Sequence, residues 1–182
     1  MSRTTLTPPV GPSDHARGPA GAPVTLVEYG DYECPHCGAA HPVVQLAMRQ
    51  LGDQLRFVYR HFPLAEIHPN AEPAAEAAEA AGAQGRFWAM HDALFEHQHA
   101  LQARDLAALA MALDLDATRL ARELLAHTHL DAVRKDFLSG VRSGVNGTPT
   151  FFINGVRYDG DWRDPVAFIG TLQAAGTGLG VR

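Results

Sequence analysis

The two cysteines of this chain are separated by two residues, in the segment Cys34-Pro35-His36-Cys37. The preceding segment Val24–Gly30 is β-branched and mostly apolar, which predicts a strand that ends just before the first cysteine. Pro35 suits the first position of a helix, where its missing N–H breaks no hydrogen bond. A C-x-x-C at a strand-to-helix junction is typical of a site for thiol–disulfide exchange.

Disulfide exchange needs one thiolate that attacks and a second thiol that resolves the mixed disulfide. Cys34 is predicted at a helix N-terminus, where unpaired N–H groups and the helix dipole stabilise a thiolate. His36, when protonated, adds positive charge nearby. We therefore expect Cys34 to be the exposed, acidic nucleophile. Cys37 lies nearly one turn further on, on the same helix face and deeper in the helix, so we predict that it is the resolving thiol.

Two alternatives for the cysteine pair stay open at the level of sequence. The pair could be buried and chemically inert. It could also bind zinc, with Cys34, Cys37 and His41 as ligands, although the sequence has no second C-x-x-C or H-x-x-x-H to complete a closed structural site.

The rest of the chain alternates between strand and helix signals. A helix is predicted from Cys34 to Leu51, with Pro42 inside it as the site of a kink, and a second strand over residues 55–62. Residues 70–141 are Ala-rich with a 3.6-residue period, which predicts an all-helical block of about four helices. The chain therefore has α/β character with a helical insertion.

Strand signals return near the C-terminus. Asn154-Gly155 lies between two short apolar segments, which is the strongest short signal for a β-hairpin. A last helix is predicted to begin at Pro165, with Asp164 as its N-cap. Together with the first two strands, this hairpin predicts a small mixed sheet with helices on its faces.

Pro149 precedes the first hairpin strand and follows Thr148. A proline at the first residue of a strand removes no essential ladder hydrogen bond, and X-Pro bonds are the main place where cis peptides occur. A cis Thr148–Pro149 bond would leave the main-chain groups of Thr148 available to pair with an extended substrate. The alternative is an ordinary trans turn.

These motifs together resemble those of the DsbA-like members of the thioredoxin superfamily. The similar segments are Val27-Glu28-Tyr29, Cys34-Pro35-His36-Cys37, Phe87–Phe95, and Gly147-Thr148-Pro149 followed by Phe151–Gly155, and the likeness covers roughly residues 20–175. The resemblance implies a thioredoxin fold, with a central mixed sheet flanked by helices and an inserted all-helical domain. The implied domains are a thioredoxin-like domain of residues 23–64 and 143–176, an insertion of residues 65–142, and a flexible N-terminal arm of residues 1–22.

The resemblance also implies roles for particular residues. Glu28 matches a buried acid that assists proton movement at the resolving cysteine, and a carboxyl on a core strand would have a raised pKa suited to that task. The alternative for Glu28 is an edge carboxylate in water. Thr148, Pro149 and Pro35 are implied substrate contacts, with Pro149 cis beside the active-site disulfide. Thr148 departs from the valine that is usual in the DsbA oxidases.

Composition limits the partners. The formal net charge of −5 and the lack of a basic patch argue against nucleic acid. No apolar run approaches the ~18 residues of a membrane span, and the first residues lack the apolar core of a secretory signal. We therefore expect a cytoplasmic monomer; the alternative is an exported protein whose signal has been removed.

The predicted function is thiol–disulfide exchange with cysteine-containing protein substrates and an unidentified redox partner. No separate cofactor is expected, because the Cys34–Cys37 disulfide itself carries the two electrons. The Pro35-His36 dipeptide favours an oxidase. The alternatives are a reductase, an isomerase or a redox sensor of the same fold, or a non-catalytic binding or zinc module.

Overall fold

The strands form a five-stranded sheet within residues 4–178, the part of the chain that the computed structural model describes. Their order is β1-β3-β2-β4-β5, and their bounds are β1 (His15–Arg17), β2 (Val24–Gly30), β3 (Leu55–His61), β4 (Thr150–Ile153) and β5 (Val156–Tyr158). The central place of β2 explains its composition, because a strand covered on both faces is a nearly continuous apolar run. Leu26, Val27 and Tyr29 are fully buried, and the predicted strand is confirmed.

The chain divides into two units. Among the described residues, one unit contains most of the sheet and comprises residues 4–29, Ala39–Arg60 and residues 139–178. The other comprises Gly30–Gly38 and His61–Leu138. This second unit includes most of the predicted insertion of residues 65–142. The second unit also includes the cysteine segment, although the resemblance groups that segment with the sheet. The segment forms hydrogen bonds to the loops that contain Leu64 and Gln98.

The predicted hairpin is confirmed. Strands β4 and β5 pair antiparallel, with Ile153 opposite Val156. Asn154 and Gly155 have φ values of +47° and +78°, the left-handed conformation that a tight two-residue hairpin turn requires at both positions. The Asn154 side chain also accepts a hydrogen bond from the main-chain N–H of Thr25 at 2.8 Å, which ties the turn to β2.

The N-terminal segment contributes a strand that the sequence does not predict. Strand β1 pairs antiparallel with β3, with His15 opposite Tyr59, and the Leu6 N–H donates to the carbonyl of Gly155 at 2.9 Å. A three-residue edge strand within a segment rich in proline and glycine leaves no periodic pattern. The first three residues of the predicted arm, 1–22, lie outside the described residues.

Helix α1 (Pro35–Leu51) begins at the predicted proline and contains Pro42. Helix α7 (Pro165–Gly176) is capped as predicted, since the Asp164 carboxylate accepts hydrogen bonds from the main-chain N–H groups of Val166 and Ala167 at 3.0 and 3.1 Å. Such a cap satisfies donors that have no partner within the helix. Local sequence signals therefore define the starts of both helices.

Residues 71–142 form five helices, where the sequence predicts about four. They are α2 (Ala71–Gly82), α3 (Phe87–Glu96), α4 (Ala103–Ala112), α5 (Ala117–Leu125) and α6 (Leu130–Arg142). The break between α2 and α3 contains Gly85 at a φ of +76°. The breaks after α4 and α5 contain Asp114 and His127 at φ values of +55° and +49°. A helix end at a non-glycine residue in this left-handed conformation is hard to predict from the sequence.

Helix α2 contacts α3, α4 and α5. Its alanines lie close to these neighbours because their side chains are small, and the buried ones are Ala71, Ala74, Ala75, Ala77, Ala78, Ala80 and Ala81. Among residues 4–178, no helix combines the length and apolar character needed to cross a membrane.

Candidate active site

The cysteine segment forms the start of helix α1. Cys34 directly precedes the helix, and its carbonyl accepts the Gly38 N–H at 3.1 Å, the first hydrogen bond of the helix. Pro35 and His36 are exposed. Cys34 is 4% exposed and Cys37 is 0% exposed. The expected position of Cys34 at the helix N-terminus is confirmed, but the expectation that its side chain is well exposed is wrong.

Gln98 explains part of this burial. Its side-chain Nε2 donates to the carbonyls of Tyr32 and Cys34, at 2.8 and 2.9 Å. A Cβ at Gly38 would collide with the Gln98 amide group, so the glycine makes room for this contact. Gln98 therefore lies against the first turn of the helix and fixes the main chain on both sides of Glu33.

Asp31 joins the cysteine segment to the loop that follows β3. Its buried carboxylate accepts hydrogen bonds from the Glu33 N–H at 2.8 Å, the Leu64 N–H at 2.9 Å and His68 Nδ1 at 2.8 Å. Its own main-chain N–H donates to Cys37 Sγ at 3.4 Å. The main chain of Asp31 also accepts the Cys34 N–H at 3.2 Å.

Glu33 forms a second connection to the same loop. Its carboxylate accepts hydrogen bonds from the Asn70 main-chain N–H at 2.6 Å and from the Asn70 side chain at 2.8 Å. Tyr32 lies between these two acids in the sequence and is 1% exposed. Its hydroxyl oxygen is hydrogen-bonded to His91 Nδ1 at 3.0 Å, and its ring packs on the ring of Phe95. The segment is therefore held by contacts on several sides.

Thr148 and Pro149 belong to the first unit, where both are half-buried. Their peptide bond is cis, the conformation that the resemblance implies. The loop around them is ordered by hydrogen bonds: Thr150 Oγ1 donates to the Gly147 carbonyl at 2.7 Å, and Arg157 donates to the Gly144 carbonyl at 2.7 Å.

Glu28 also belongs to the first unit. It lies on β2 opposite Phe151 and is 2% exposed. The predicted burial of this carboxyl is confirmed, and the alternative of an edge carboxylate in water is wrong. His41, a ligand in the zinc alternative, pairs through Nε2 with the side chain of Gln45 one turn further along α1, at 2.9 Å.

The sequence therefore predicts the residues of one segment and misses its supports. Cys34, Pro35, His36 and Cys37 are grouped in the second unit, whereas Glu28, Thr148 and Pro149 are in the first. Asp31 and Glu33, the two acids that flank Tyr32, are visible in the sequence because they directly precede Cys34. Gln98 gives no comparable signal, because it lies 64 residues from Cys34 in the chain.

The family model described as Thioredoxin matches residues 11–169, and the chain belongs to this family. Three solved structures are similar to it. Oxidised BdbD from Bacillus subtilis is 23% identical with a TM-score of 0.82, over 91% of this chain and 94% of that one. A thioredoxin-like oxidoreductase from Silicibacter pomeroyi is 27% identical with a TM-score of 0.75, over 88% and 91%.

The third structure is α-DsbA1 from Wolbachia pipientis, which is 20% identical with a TM-score of 0.76, over 93% of this chain and 96% of that one. These neighbours are DsbA-like proteins of the thioredoxin fold. The fold class expected from the resemblance is thereby confirmed.

The curated relatives carry a different name. A Na⁺/H⁺ antiporter NhaA 1 from Salinispora arenicola is 47% identical over 173 residues, which are 94% of this chain and 26% of that protein. A Na⁺/H⁺ antiporter NhaA from Herminiimonas arsenicoxydans is 41% identical over 174 residues, or 95% and 27%. The chain thus spans about a quarter of the length of the curated relatives it matches.

Proposed function

We propose that this chain is a protein thiol–disulfide oxidoreductase that exchanges a Cys34–Cys37 disulfide with cysteines of protein substrates. The observation that carries the proposal is the placement of Cys34 at the start of α1, with Cys37 in the first turn. Helix N–H groups at that end favour a thiolate on the first cysteine. Membership of the thioredoxin family and the DsbA-like neighbours support the same reaction.

The proposed cycle follows from the order of the two cysteines. A substrate thiolate attacks Cys34 Sγ, the Cys34–Cys37 bond breaks, and Cys37 leaves with the electron pair as a thiolate. A second substrate thiolate then attacks the substrate sulfur of the mixed disulfide and releases Cys34. The substrate gains a disulfide, and the protein gains two electrons that a redox partner must remove.

Roles for the other site residues belong to this proposal. His36, which is exposed, adds positive charge beside Cys34 when it is protonated. Thr148, Pro149 and Pro35 contact the substrate, and Glu28 assists proton transfer at Cys37. Thr148, where the DsbA oxidases usually have valine, changes how readily the substrate is released.

The test is refolding of a reduced, disulfide-containing substrate by the oxidised protein, together with reduction of insulin. We expect Cys34→Ser to abolish both, and the rate of Cys34 alkylation to titrate well below the ordinary thiol pKa of about 8.5. Equilibration with glutathione assigns the direction: a potential near −120 mV indicates an oxidase, and one near −270 mV indicates a reductase, on the order of the known values for such enzymes. Unchanged rates of refolding and insulin reduction in Cys34→Ser would refute the proposed enzymatic function.

The antiporter relatives favour a second candidate, a redox sensor that works with an ion transporter. Their identity of 41–47% extends over nearly all of this chain. The measurement is Na⁺/H⁺ exchange in everted vesicles from cells that carry the wild-type gene or its Cys34→Ser/Cys37→Ser form. Exchange that responds to dithiothreitol only in the wild type would support the sensor, and equal responses would exclude it.

We also propose that the chain is located in the cytoplasm, with an exported form as the alternative. Fractionation of the host cells with an antibody to the chain tests this location.

A further inference from the structure

We propose that Asp31 is a positioning residue for the resolving thiol: it directs its main-chain N–H onto Cys37 Sγ, and its carboxylate, held by His68 and the loop after β3, keeps that N–H in place. The inference rests on the proposed exchange function and adds a determinant of the redox equilibrium to it.

The geometry places Asp31 in contact with both cysteines through its main chain. Its N–H donates to Cys37 Sγ at 3.4 Å, and its carbonyl accepts the Cys34 N–H at 3.2 Å. The peptide groups of Asp31 therefore contact both ends of the C-x-x-C, Cys34 just before α1 and Cys37 in its first turn.

The side chain of Asp31 fixes the orientation of those peptide groups. The carboxylate is fully buried, with 0% of its side chain exposed. A buried carboxylate is tolerated only with good hydrogen-bond partners, and here the partners are the Glu33 N–H, the Leu64 N–H and His68 Nδ1. These contacts hold the main chain of Asp31 in place beside Cys37.

The chemical consequence lies in the charge on Cys37. An N–H···S hydrogen bond is stronger when the sulfur is a thiolate than when it is neutral, because charge-assisted bonds are roughly twice as strong. The Asp31 N–H thus stabilises Cys37 as the leaving group when an incoming thiolate attacks Cys34 Sγ and the Cys34–Cys37 bond breaks. The same contact stabilises the reduced protein relative to its disulfide form.

Asp31→Asn is the informative substitution because it keeps the shape of the side chain. The new NH₂ group cannot accept the N–H groups that face the carboxylate, so the turn must shift and the N–H···Sγ contact is lost. Glu33→Gln is the matched control: it makes the same chemical change on an acid that anchors the same loop through Asn70. The Glu33 carboxylate has no hydrogen bond to either cysteine among those described.

The experiment measures the equilibrium of the Cys34–Cys37 pair with reduced and oxidised glutathione, and the rate at which glutathione opens the oxidised pair. We expect Asp31→Asn to shift the equilibrium about tenfold toward the disulfide and to slow opening by about the same factor, which is the size of one hydrogen bond to a charged group. Glu33→Gln should change either quantity less than about twofold. His68→Gln, which loosens the carboxylate without removing it, should shift the equilibrium in the same direction by about threefold.

Equal shifts in Asp31→Asn and Glu33→Gln would overturn the inference, because they would show that loosening the loop is sufficient. An unshifted equilibrium in both Asp31→Asn and His68→Gln would also overturn it. If Asp31→Asn fails to fold, the His68→Gln measurement decides. A wild-type protein that does not exchange with glutathione at all would refute the proposed function itself, so the two failures are distinguishable.

Discussion

Glu28 is the residue at which stability and proposed chemistry have opposite requirements. It lies on the central strand β2 and is 2% exposed. Burial of a charged carboxyl costs free energy even when it has partners. A buried acid on a core strand therefore indicates a use other than stabilising the fold, and proton transfer at Cys37 is the use proposed here.

Glu28→Gln should separate the two requirements. We expect the free energy of unfolding to rise by roughly 1–3 kcal/mol because the desolvation penalty of the carboxyl is removed. Disulfide exchange should slow by roughly tenfold or more because the proton carrier is lost. Urea unfolding and single-turnover exchange measure these effects, with the exposed Glu66→Gln as a control that should change neither. Lower stability together with unchanged exchange would contradict the proton-transfer role.

At the scale of an element, the start of helix α1 depends on a residue outside the helix. The Gln98 amide bonds the carbonyls of Tyr32 and Cys34, and Gly38 leaves the space that this amide occupies. Glycine inside a helix costs about 1 kcal/mol relative to alanine. The glycine in the first turn is therefore explained by the contact with Gln98 and not by helix formation.

A double-mutant cycle tests this coupling. In the wild type, Gly38→Ala should lower the free energy of unfolding by about 1 kcal/mol, because the gain in helix propensity is smaller than the loss of the displaced Gln98 hydrogen bonds. In a Gln98→Ala background the same change should be stabilising by up to about 1 kcal/mol, since the collision is gone. Thermal or urea unfolding of the four proteins gives the coupling energy. Additive effects would show that the two residues are independent.

At the scale of the whole molecule, the N-terminal segment is part of the first unit. Arg60 is 3% exposed and donates to both Asp14 carboxylate oxygens, at 2.7 and 3.0 Å. It also donates to Tyr29 Oη at 2.9 Å and the Pro8 carbonyl at 3.0 Å. Burial alone would lower the pKa of Arg60, but the hydrogen bonds with Asp14 and Tyr29 raise it above its ordinary value. A raised pKa means that the charge stabilises the fold at every pH below the ordinary arginine pKa, which includes the whole neutral range.

Asp14→Ala should therefore destabilise the protein strongly. Removing one partner of a buried ion pair leaves the other charge uncompensated, and we expect a loss of about 3–5 kcal/mol in the free energy of unfolding. The loss should be the same at pH 6 and pH 9, because Arg60 stays charged at both. Asp53→Ala, an exposed aspartate in the same unit, should change stability by less than about 0.5 kcal/mol. A small effect of Asp14→Ala in urea unfolding would show that the segment is a dispensable arm.

Much of the local structure can be predicted from the chain alone. The strand before Cys34, the helix start at Pro35, the Asn154-Gly155 turn and the Asp164 cap each depend on residues within a few positions of one another. A turn conformation or a cap is specified by such neighbours. The sequence therefore determines the reactive pair, its place at a helix N-terminus and the alternation of strand and helix that identifies the family.

Only the tertiary structure decides what surrounds that pair. Asp31 meets His68 across 37 residues of chain, Gln98 meets Cys34 across 64, and Asp14 meets Arg60 across 46. No local pattern encodes such contacts, because a buried polar group is satisfied by whichever partner the fold brings near it. Contacts between residues far apart in the chain also explain why Cys34 is less exposed than its motif suggests. They likewise explain why an apparent N-terminal arm contributes a strand.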